Sequence, residues 1–476
     1  MDVIDLLALT PLLILAATGV VIMLAIAVTR SHRASFVLSL AGLALALLSL
    51  PLIQRYLPRQ VTPLVVMDGY ALYFMGLVIV AAFVVALLSF RYWDACDCDP
   101  EEYYVLLLLA TLGSATLVAS NHFASFFLGL EILSISLYAL IAYTYDTRSR
   151  VEAGLKYLIL AAASAALLLF GMALLYAAMG TLSFPEIAAR VDDASQGLLL
   201  LGAGLIVGGV GFKLALVPFH LWTPDVYQGA PLPVTMFIAT ASKGAVFALV
   251  LRFFTQFGLG DFPAVVNGFA LLAILSMLLG NLLAFLQENL KRMLAYSSIA
   301  HMGYLLVPFV AVSEAGERAV AFYLAAYLAS SLLAFGVMTV LSSAGGELEA
   351  VESYRGLFWE RPWLAVGMAA ALFSLAGVPP SIGLVGKFFL AAAGVESALW
   401  WPLAALIVGS VVGVFYYARV GILLFIRREE DALAAPSRLA AGSAAALGAL
   451  SLVVVIMGVY PGPLLNLIAA VMERIT

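Results

Sequence analysis

Charge is what this chain lacks. Only 11% of its 476 residues are Asp, Glu, Lys or Arg, against 64% hydrophobic types. A soluble domain of that length needs a far more polar surface. Lysine is scarcest of the common charges: there are five, beside eighteen arginines. Histidine occurs four times and cysteine twice. Cys96 and Cys98 sit in an acidic loop, Asp94 to Pro100, with no second pair or histidine nearby, which is a poor metal site. They read as a solvated loop on the reducing, cytoplasmic side. No nucleotide fingerprint, haem ligand pair or iron–sulfur cysteine set is visible. The glycines Gly202, Gly204, Gly208, Gly209 and Gly211 follow no strand and read as close helix packing.

Apolar runs fill most of the rest. A bilayer span needs about 20 mostly apolar residues, and a window of that length finds about fourteen. The chain reads as an all-α polytopic membrane protein with one transmembrane domain over 1–476. The start, Met1-Asp-Val-Ile-Asp5, is acidic where a signal peptide is basic, so the first run is expected to stay as a span. One set of loops holds Arg30, Arg33, Arg91, Arg148, Arg150, Lys291, Arg292, Arg355, Arg361, Arg427, Arg428 and Arg438. The alternate set holds chiefly Arg55, Arg59, Arg190, Arg252 and Arg318. The positive-inside bias places the first set in the cytoplasm and both termini in the periplasm.

Two spans are interrupted in matching ways. The seventh contains Pro218 and the twelfth Pro379-Pro380. Proline removes a backbone donor, and in lipid that loss is tolerated only where protein or a wet cavity satisfies the freed groups. The breaks are five spans apart, hence opposite in orientation, as in an inverted repeat. The expected division is 1–103 for spans 1–3, 104–256 for the first five-helix repeat (spans 4–8), 266–425 for the second (spans 9–13), and 439–476 for the last span and C-terminus.

The lysines are placed where they cost most. Lys213, Lys243 and Lys387 lie inside apolar spans, and Lys156 lies at the edge of one. A charge at mid-bilayer costs roughly 2.5–3.5 kcal/mol. Arginine keeps its proton almost always, whereas buried lysine can give it up. Three lysines and one glutamate cost on the order of 10 kcal/mol unrelieved, which calls for pairing, water or deprotonation. Glu131 is the natural anion, with no other Asp, Glu, Lys or Arg between Glu102 and Asp146. Its expected partner is Lys213. His301, in Tyr296-Ser-Ser-Ile-Ala-His-Met-Gly-Tyr304, could join serine and tyrosine hydroxyls in a proton chain. The other reading for it is a hydrogen-bonded packing histidine. His220 follows the first break and could lie near the cytoplasmic half of a path. His32 and His122 read as interfacial.

The stretch Lys213-Leu-Ala-Leu-Val-Pro-Phe-His-Leu-Trp-Thr-Pro-Asp-Val-Tyr-Gln-Gly-Ala-Pro231 resembles the N-type subunit (subunit 2 in mitochondria) of bacterial respiratory complex I. Thr240 to Phe247 and Tyr296 to Tyr304 fit the same type. The L type carries a long lateral helix after its last span, and the M type has glutamate where Lys387 stands. The resemblance implies that Glu131 and Lys213 form a coupled pair, Lys243 a central relay, and Lys387 a group toward the periplasmic exit, with His301 in support. It implies a bacterial inner-membrane translocase subunit of NADH:quinone oxidoreductase with no cofactor of its own. FMN, iron–sulfur clusters and quinone would belong to other subunits. The partners would be neighbouring antiporter-like and small membrane subunits and lipid, with no nucleic acid. Two other readings are a subunit of an Mrp-type cation/proton antiporter and a passive membrane scaffold. The segment Asp225 to Pro231 favours complex I, and a scaffold does not explain three buried lysines.

Overall fold

The computed structural model describes residues 2–94, 98–144, 148–191, 195–258, 260, 262–343, 346–427 and 439–472. Cys96, Asp146, Arg428 and Arg438, used above, lie outside the described residues.

The apolar runs form helices, as a chain in lipid must satisfy its backbone internally. In order they are α1 (Thr10–Val28), α2 (His32–Ile53), α3 (Gly69–Asp94), α4 (Glu101–Val118), α5 (Phe123–Ile141), α6 (Arg148–Met179), α7 (Gln196–Leu214), α8 (Trp222–Gly229), α9 (Leu232–Gln256), α10 (Pro263–Phe285), α11 (Leu290–Val310), α12 (Glu314–Leu341), α13 (Pro362–Ala376), α14 (Ile382–Glu396), α15 (Trp400–Leu423), α16 (Ala441–Val459) and α17 (Gly462–Met472). Thirteen helices of the described residues are long and apolar enough to cross a bilayer. The expected twelfth span is split into α13 and α14, which accounts for the fourteenth crossing. A two-stranded hairpin, β1 (Arg59–Thr62) and β2 (Val65–Met67), joins α2 to α3.

Several helices start on a side-chain cap. Ser31, His122, Asn289, Ser313 and Ser381 each accept from a backbone N–H of the first turn, one of the donors a helix start leaves open.

The internal repeat is visible as a fixed offset. Asn289 bridges to Ala350 as His122 bridges to Ser183, each residue 167 positions after its counterpart. Gly280 lies against Ala300 as Gly113 lies against Leu133, at the same offset. At both glycines a Cβ would sit within 2.7 Å of a backbone nitrogen of the facing helix, so only glycine permits that approach.

The two breaks share a construction. After α7, Ala215 is left-handed at φ 60° and Pro218 follows a cis bond. After α13, Gly377 is left-handed at φ 81° and Pro380 follows a cis bond. The freed groups find partners in the protein. Trp222 Nε1 donates to Phe212 O at 2.9 Å, and Val217 N donates to Ser276 Oγ at 3.0 Å. In the second break Gly383 N donates to Ser374 Oγ at 3.2 Å.

Burial grades inward. The apolar window of α9 is wholly buried, and those of α11 and α12 are 94% and 83% buried, against 22% for α1 and for α16. The most buried helices are those that carry Lys243, His301 and the tyrosines Tyr323 and Tyr327.

Candidate functional site

The site is a line of polar side chains on these central helices. Lys213 is the last residue but one of α7, beside the break, and its side chain is buried. Nζ donates to Ser134 Oγ of α5 at 2.7 Å and stands 5.5 Å from the Tyr157 ring centre. Glu131 is one helical turn away on α5, on the same face as Ser134. No ion pair joins Glu131 to Lys213 among the described residues, and Glu131 Oε1 is buried without a hydrogen-bond partner. The carboxylate is near enough for its charge to act on Lys213, Tyr138 and Tyr157. Lysine and glutamate are therefore neighbours without a direct bond, and the lysine rests on a hydroxyl.

Lys243 lies deeper. It follows a π-helical turn, Ile238–Ser242, inside α9. Such a turn is a common device at functional positions because it re-aims the next side chain. Nζ donates to Ser298 Oγ of α11 at 2.7 Å and lies 5.4 Å from the Tyr227 ring centre. Ser298 Oγ also accepts from the Tyr327 hydroxyl at 2.7 Å and lies 3.4 Å from the Tyr227 hydroxyl. Side chains of three spans and of the short helix α8 meet at one serine oxygen.

His301 is one turn beyond Ser298 on α11. Its Nδ1 is 2.7 Å from the Tyr323 hydroxyl and its Nε2 is 3.1 Å from the Tyr417 hydroxyl. Tyr417 also bonds to Ser297. The Tyr327 ring packs 5.2 Å from the imidazole and the Tyr304 ring 5.4 Å away, edge-on. Each ring nitrogen has a partner able to give or take a proton.

Lys387 follows the second break. Nζ donates to Ala376 O at 2.8 Å, at the C-terminal end of α13, and lies 5.0 Å from the Tyr304 ring centre. A helix C-terminus carries partial negative charge that favours a cation. Tyr304 is held by Asn281 Nδ2 at 2.8 Å, and Asn281 Oδ1 accepts from Tyr416 at 3.1 Å.

His220 is buried in the first break with Nδ1 unpartnered, and no side-chain bond ties it to either lysine among the described residues. His122 caps α5, and His32 bonds to Tyr104 at 3.0 Å. Lys156 bonds to Asp225 at 2.8 Å in a polar crevice of about 280 Å³ that Arg292 also lines. Two assignments to loops are corrected. Arg252 is buried within α9 and forms a two-pronged bond to Asp68, both contacts at 2.8 Å. Lys291 is buried at the start of α11 against Glu347 at 2.6 Å. In a wide bundle a helix end can fold inside, so a charge near a span boundary need not lie in a loop. Asp68 had a signal, as the only acidic residue between Asp5 and Asp94. The hydroxyl partners Ser134, Tyr227, Tyr323, Tyr327 and Tyr417 carried none of that kind.

Residues 120–413 match the family described as NADH:quinone oxidoreductase/Mrp antiporter, TM. A chain in the structure of respiratory complex I from Thermus thermophilus with bound aureothin is 36% identical, with a TM-score of 0.84 over 96% of this chain and 98% of that one. A chain of an archaeal respiratory membrane complex, the membrane-bound sulfane sulfur reductase, is 24% identical with a TM-score of 0.88 over 98% and 97%. A chain of the Mrp complex from Dietzia sp. DQ12-45-1b is 20% identical with a TM-score of 0.87 over 99% and 97%. The last two likenesses speak for the fold alone. With its multi-pass helical fold and a family match over more than half its length, the chain belongs to the NADH:quinone oxidoreductase/Mrp antiporter transmembrane family.

Proposed function

We propose that the chain is the N-type, proton-translocating subunit of a bacterial NADH:quinone oxidoreductase. The observation that carries this reading is the polar line from Lys243 through Ser298 and Tyr327 to His301, then past Tyr304 to Lys387. Every member is buried and carries a group that can exchange a proton; hydrogen bonds join Lys243, Ser298 and Tyr327, and ring contacts carry the line on to His301, Tyr304 and Lys387. A packing role alone would be met more cheaply by leucine.

In this reading Lys213 and Glu131 form the coupling element. The ammonium resting on Ser134 represents the separated arrangement, and movement of about one helical turn along α5 would bring it to the carboxylate. An anion beside a lysine favours its charged form, so making and breaking the pair changes Lys213's hold on its proton. Lys243 receives the proton and Lys387 releases it toward the opposite face. His301 can accept at one nitrogen while it gives from the other, leaving its own charge unchanged. His220 would serve the entry side.

The energy comes from quinone reduction in other subunits, which would hold FMN, iron–sulfur clusters and quinone. The arginine-rich face would be cytoplasmic and both termini periplasmic, in the bacterial inner membrane. Neighbouring antiporter-like and small membrane subunits would cover part of the exposed apolar surface, and lipid the rest.

The test is NADH-driven proton pumping in membranes carrying Lys213→Ala, with assembly followed in parallel. Lost pumping in a fully assembled complex is expected. Normal pumping would remove Lys213 from the path. Co-purification without flavin and iron–sulfur subunits would overturn the complex I assignment in favour of an Mrp-type antiporter.

A further inference from the structure

The buried pair Lys291–Glu347 takes no part in the relay described above, yet it is wired to it. Lys291 Nζ donates to Glu347 Oε2 at 2.6 Å and to Ala230 O at 2.7 Å. Glu347 Oε1 accepts from Leu232 N at 2.9 Å and from the Tyr92 hydroxyl. Both side chains are almost fully buried, at 1% and 6% exposure. Their backbone bonds converge on one three-residue connector, Ala230 to Leu232, where the chain passes from α8 into α9.

That connector joins the two elements that build the Lys243 site. Tyr227, on α8, faces Lys243 Nζ and Ser298 Oγ. Lys243 itself is on α9. Thr235 draws the connector back on itself by donating to Tyr227 O at 3.1 Å and Ala230 O at 3.3 Å. Ser298, the acceptor of Lys243, shares α11 with Lys291, seven residues on. Two helical turns, about 10 Å, separate them on one face. So the pair is fixed to the helix that carries the acceptor and, through the connector, to the helices that carry the donors.

An apolar pair of equal volume would hold helices together at least as well as a buried ion pair. What the ion pair adds is direction: a donor aimed at Ala230 O and an acceptor aimed at Leu232 N. Directional bonds of this kind select one arrangement among several of similar packing. Among the described residues, the other titratable groups around the pair are Tyr92 of α3, Tyr354 of the turn Val351–Tyr354, and Glu349 of the same loop, with Arg150 of α6 acting on Tyr92.

We propose that Lys291 and Glu347 are positioning residues of the relay, fixing the connector so that Lys243 and Tyr227 meet at Ser298. The proposal rests on the reading that Lys243 relays protons. Its test uses the assembled complex in native membranes, with pumping per complex measured against pH for Glu347→Gln, Ser298→Ala, their double and Lys243→Ala. Glu347→Gln is expected to assemble, to pump about ten-fold more slowly, and to move the midpoint of the pH profile by about one unit, the size of one charge-assisted hydrogen bond. In the Ser298→Ala background the same change should add little, since both act on one contact. An unchanged pH profile, or effects that multiply in full, overturns the positioning role. If Lys243→Ala pumps normally, the relay reading fails and the proposal with it. If Lys243→Ala is dead and Glu347→Gln is native-like, the proposal alone fails. Should Glu347→Gln block assembly, Tyr92→Phe removes a single hydroxyl donor to Oε1 and is judged by the same two criteria.

Discussion

Replacing Ser298 by alanine should be the most damaging loss of a single oxygen in this protein. Ser298 Oγ accepts from Lys243 Nζ and from the Tyr327 hydroxyl, both at 2.7 Å. The change removes one atom in a site that is 1% exposed, so packing is nearly kept. Two donors lose their acceptor. A hydrogen bond to a charged group contributes about 1.5–3 kcal/mol and a neutral one about 0.5–1.5 kcal/mol. If the ammonium form of Lys243 occurs during turnover, losing the first term alone makes that form about ten to a hundred times rarer. Pumping in an assembled complex should fall by a similar factor. Ser298→Thr keeps the hydroxyl and should recover most of the rate. The assay is proton uptake by inverted membrane vesicles, normalised to assembled complex. A native rate in Ser298→Ala, or a Ser298→Thr variant as slow as Ser298→Ala, would refute the view that this oxygen holds the relay together.

Asp68→Ala leaves the Arg252 guanidinium buried and uncompensated, at a cost of about 3–5 kcal/mol. Quantitative detection of the subunit in membranes should show little of it, while the double Asp68→Leu, Arg252→Met should be present near native levels; equal levels of all three would count against the pair. Gly409→Ala would put a methyl 2.8 Å from Asn281 Nδ2 and 3.1 Å from the Tyr304 hydroxyl, loosening the ring beneath Lys387 at about 1–3 kcal/mol of overpacking. Pumping should drop well below that of Gly448→Ala, whose methyl meets nothing within 4 Å, and equal rates would dismiss the Asn281 link. At the chain's start, the Arg59 guanidinium and the Asp2 backbone N–H hold the Asp5 carboxyl below its usual range. The contact is therefore fully present above the usual aspartate value near pH 3.9 and is lost as pH falls through the lower folded value. A spin label at Gln60 should gain mobility only on that acidification, and mobility that already rises at pH 6 would contradict it.

Much of this fold was legible because lipid leaves few options. Apolar runs of about 20 residues must be helices, and the two proline interruptions fall where α7 and α13 end. The buried lysines Lys213, Lys243 and Lys387 could be named by their cost alone. What sequence could not supply was the partner of each. Glu131 was the obvious anion for Lys213, yet Ser134, one turn along the same helix, accepts its hydrogen bond. A serine on an apolar helix is commonplace, since it can bond to its own backbone; Ser134 also reaches Leu130 O at 2.6 Å. Nothing local separates such a serine from one that faces a lysine two spans away. Lys291 and Arg252 illustrate the converse, as residues near predicted helix ends whose burial depends on loops folding over them.

The repeat sharpens that point into an argument about design. At the offset of 167 that relates His122 to Asn289 and Gly113 to Gly280, Glu131 corresponds to Ser298 and Ser134 to His301. One of these two positions bonds a buried lysine in each half, though not the same one: Lys213 bonds at Ser134, the counterpart of His301, and Lys243 at Ser298, the counterpart of Glu131. The backbone frame is duplicated while the chemistry is redistributed. One half offers a carboxylate and a hydroxyl, the other a hydroxyl and an imidazole. A carboxylate beside a lysine can trap a proton strongly, whereas a hydroxyl and a neutral imidazole pass it on without creating or destroying charge. On the proposed reading, a strong trap in one half and a weak conductor in the other would give a directional path on a repeated scaffold, and two identical halves would not.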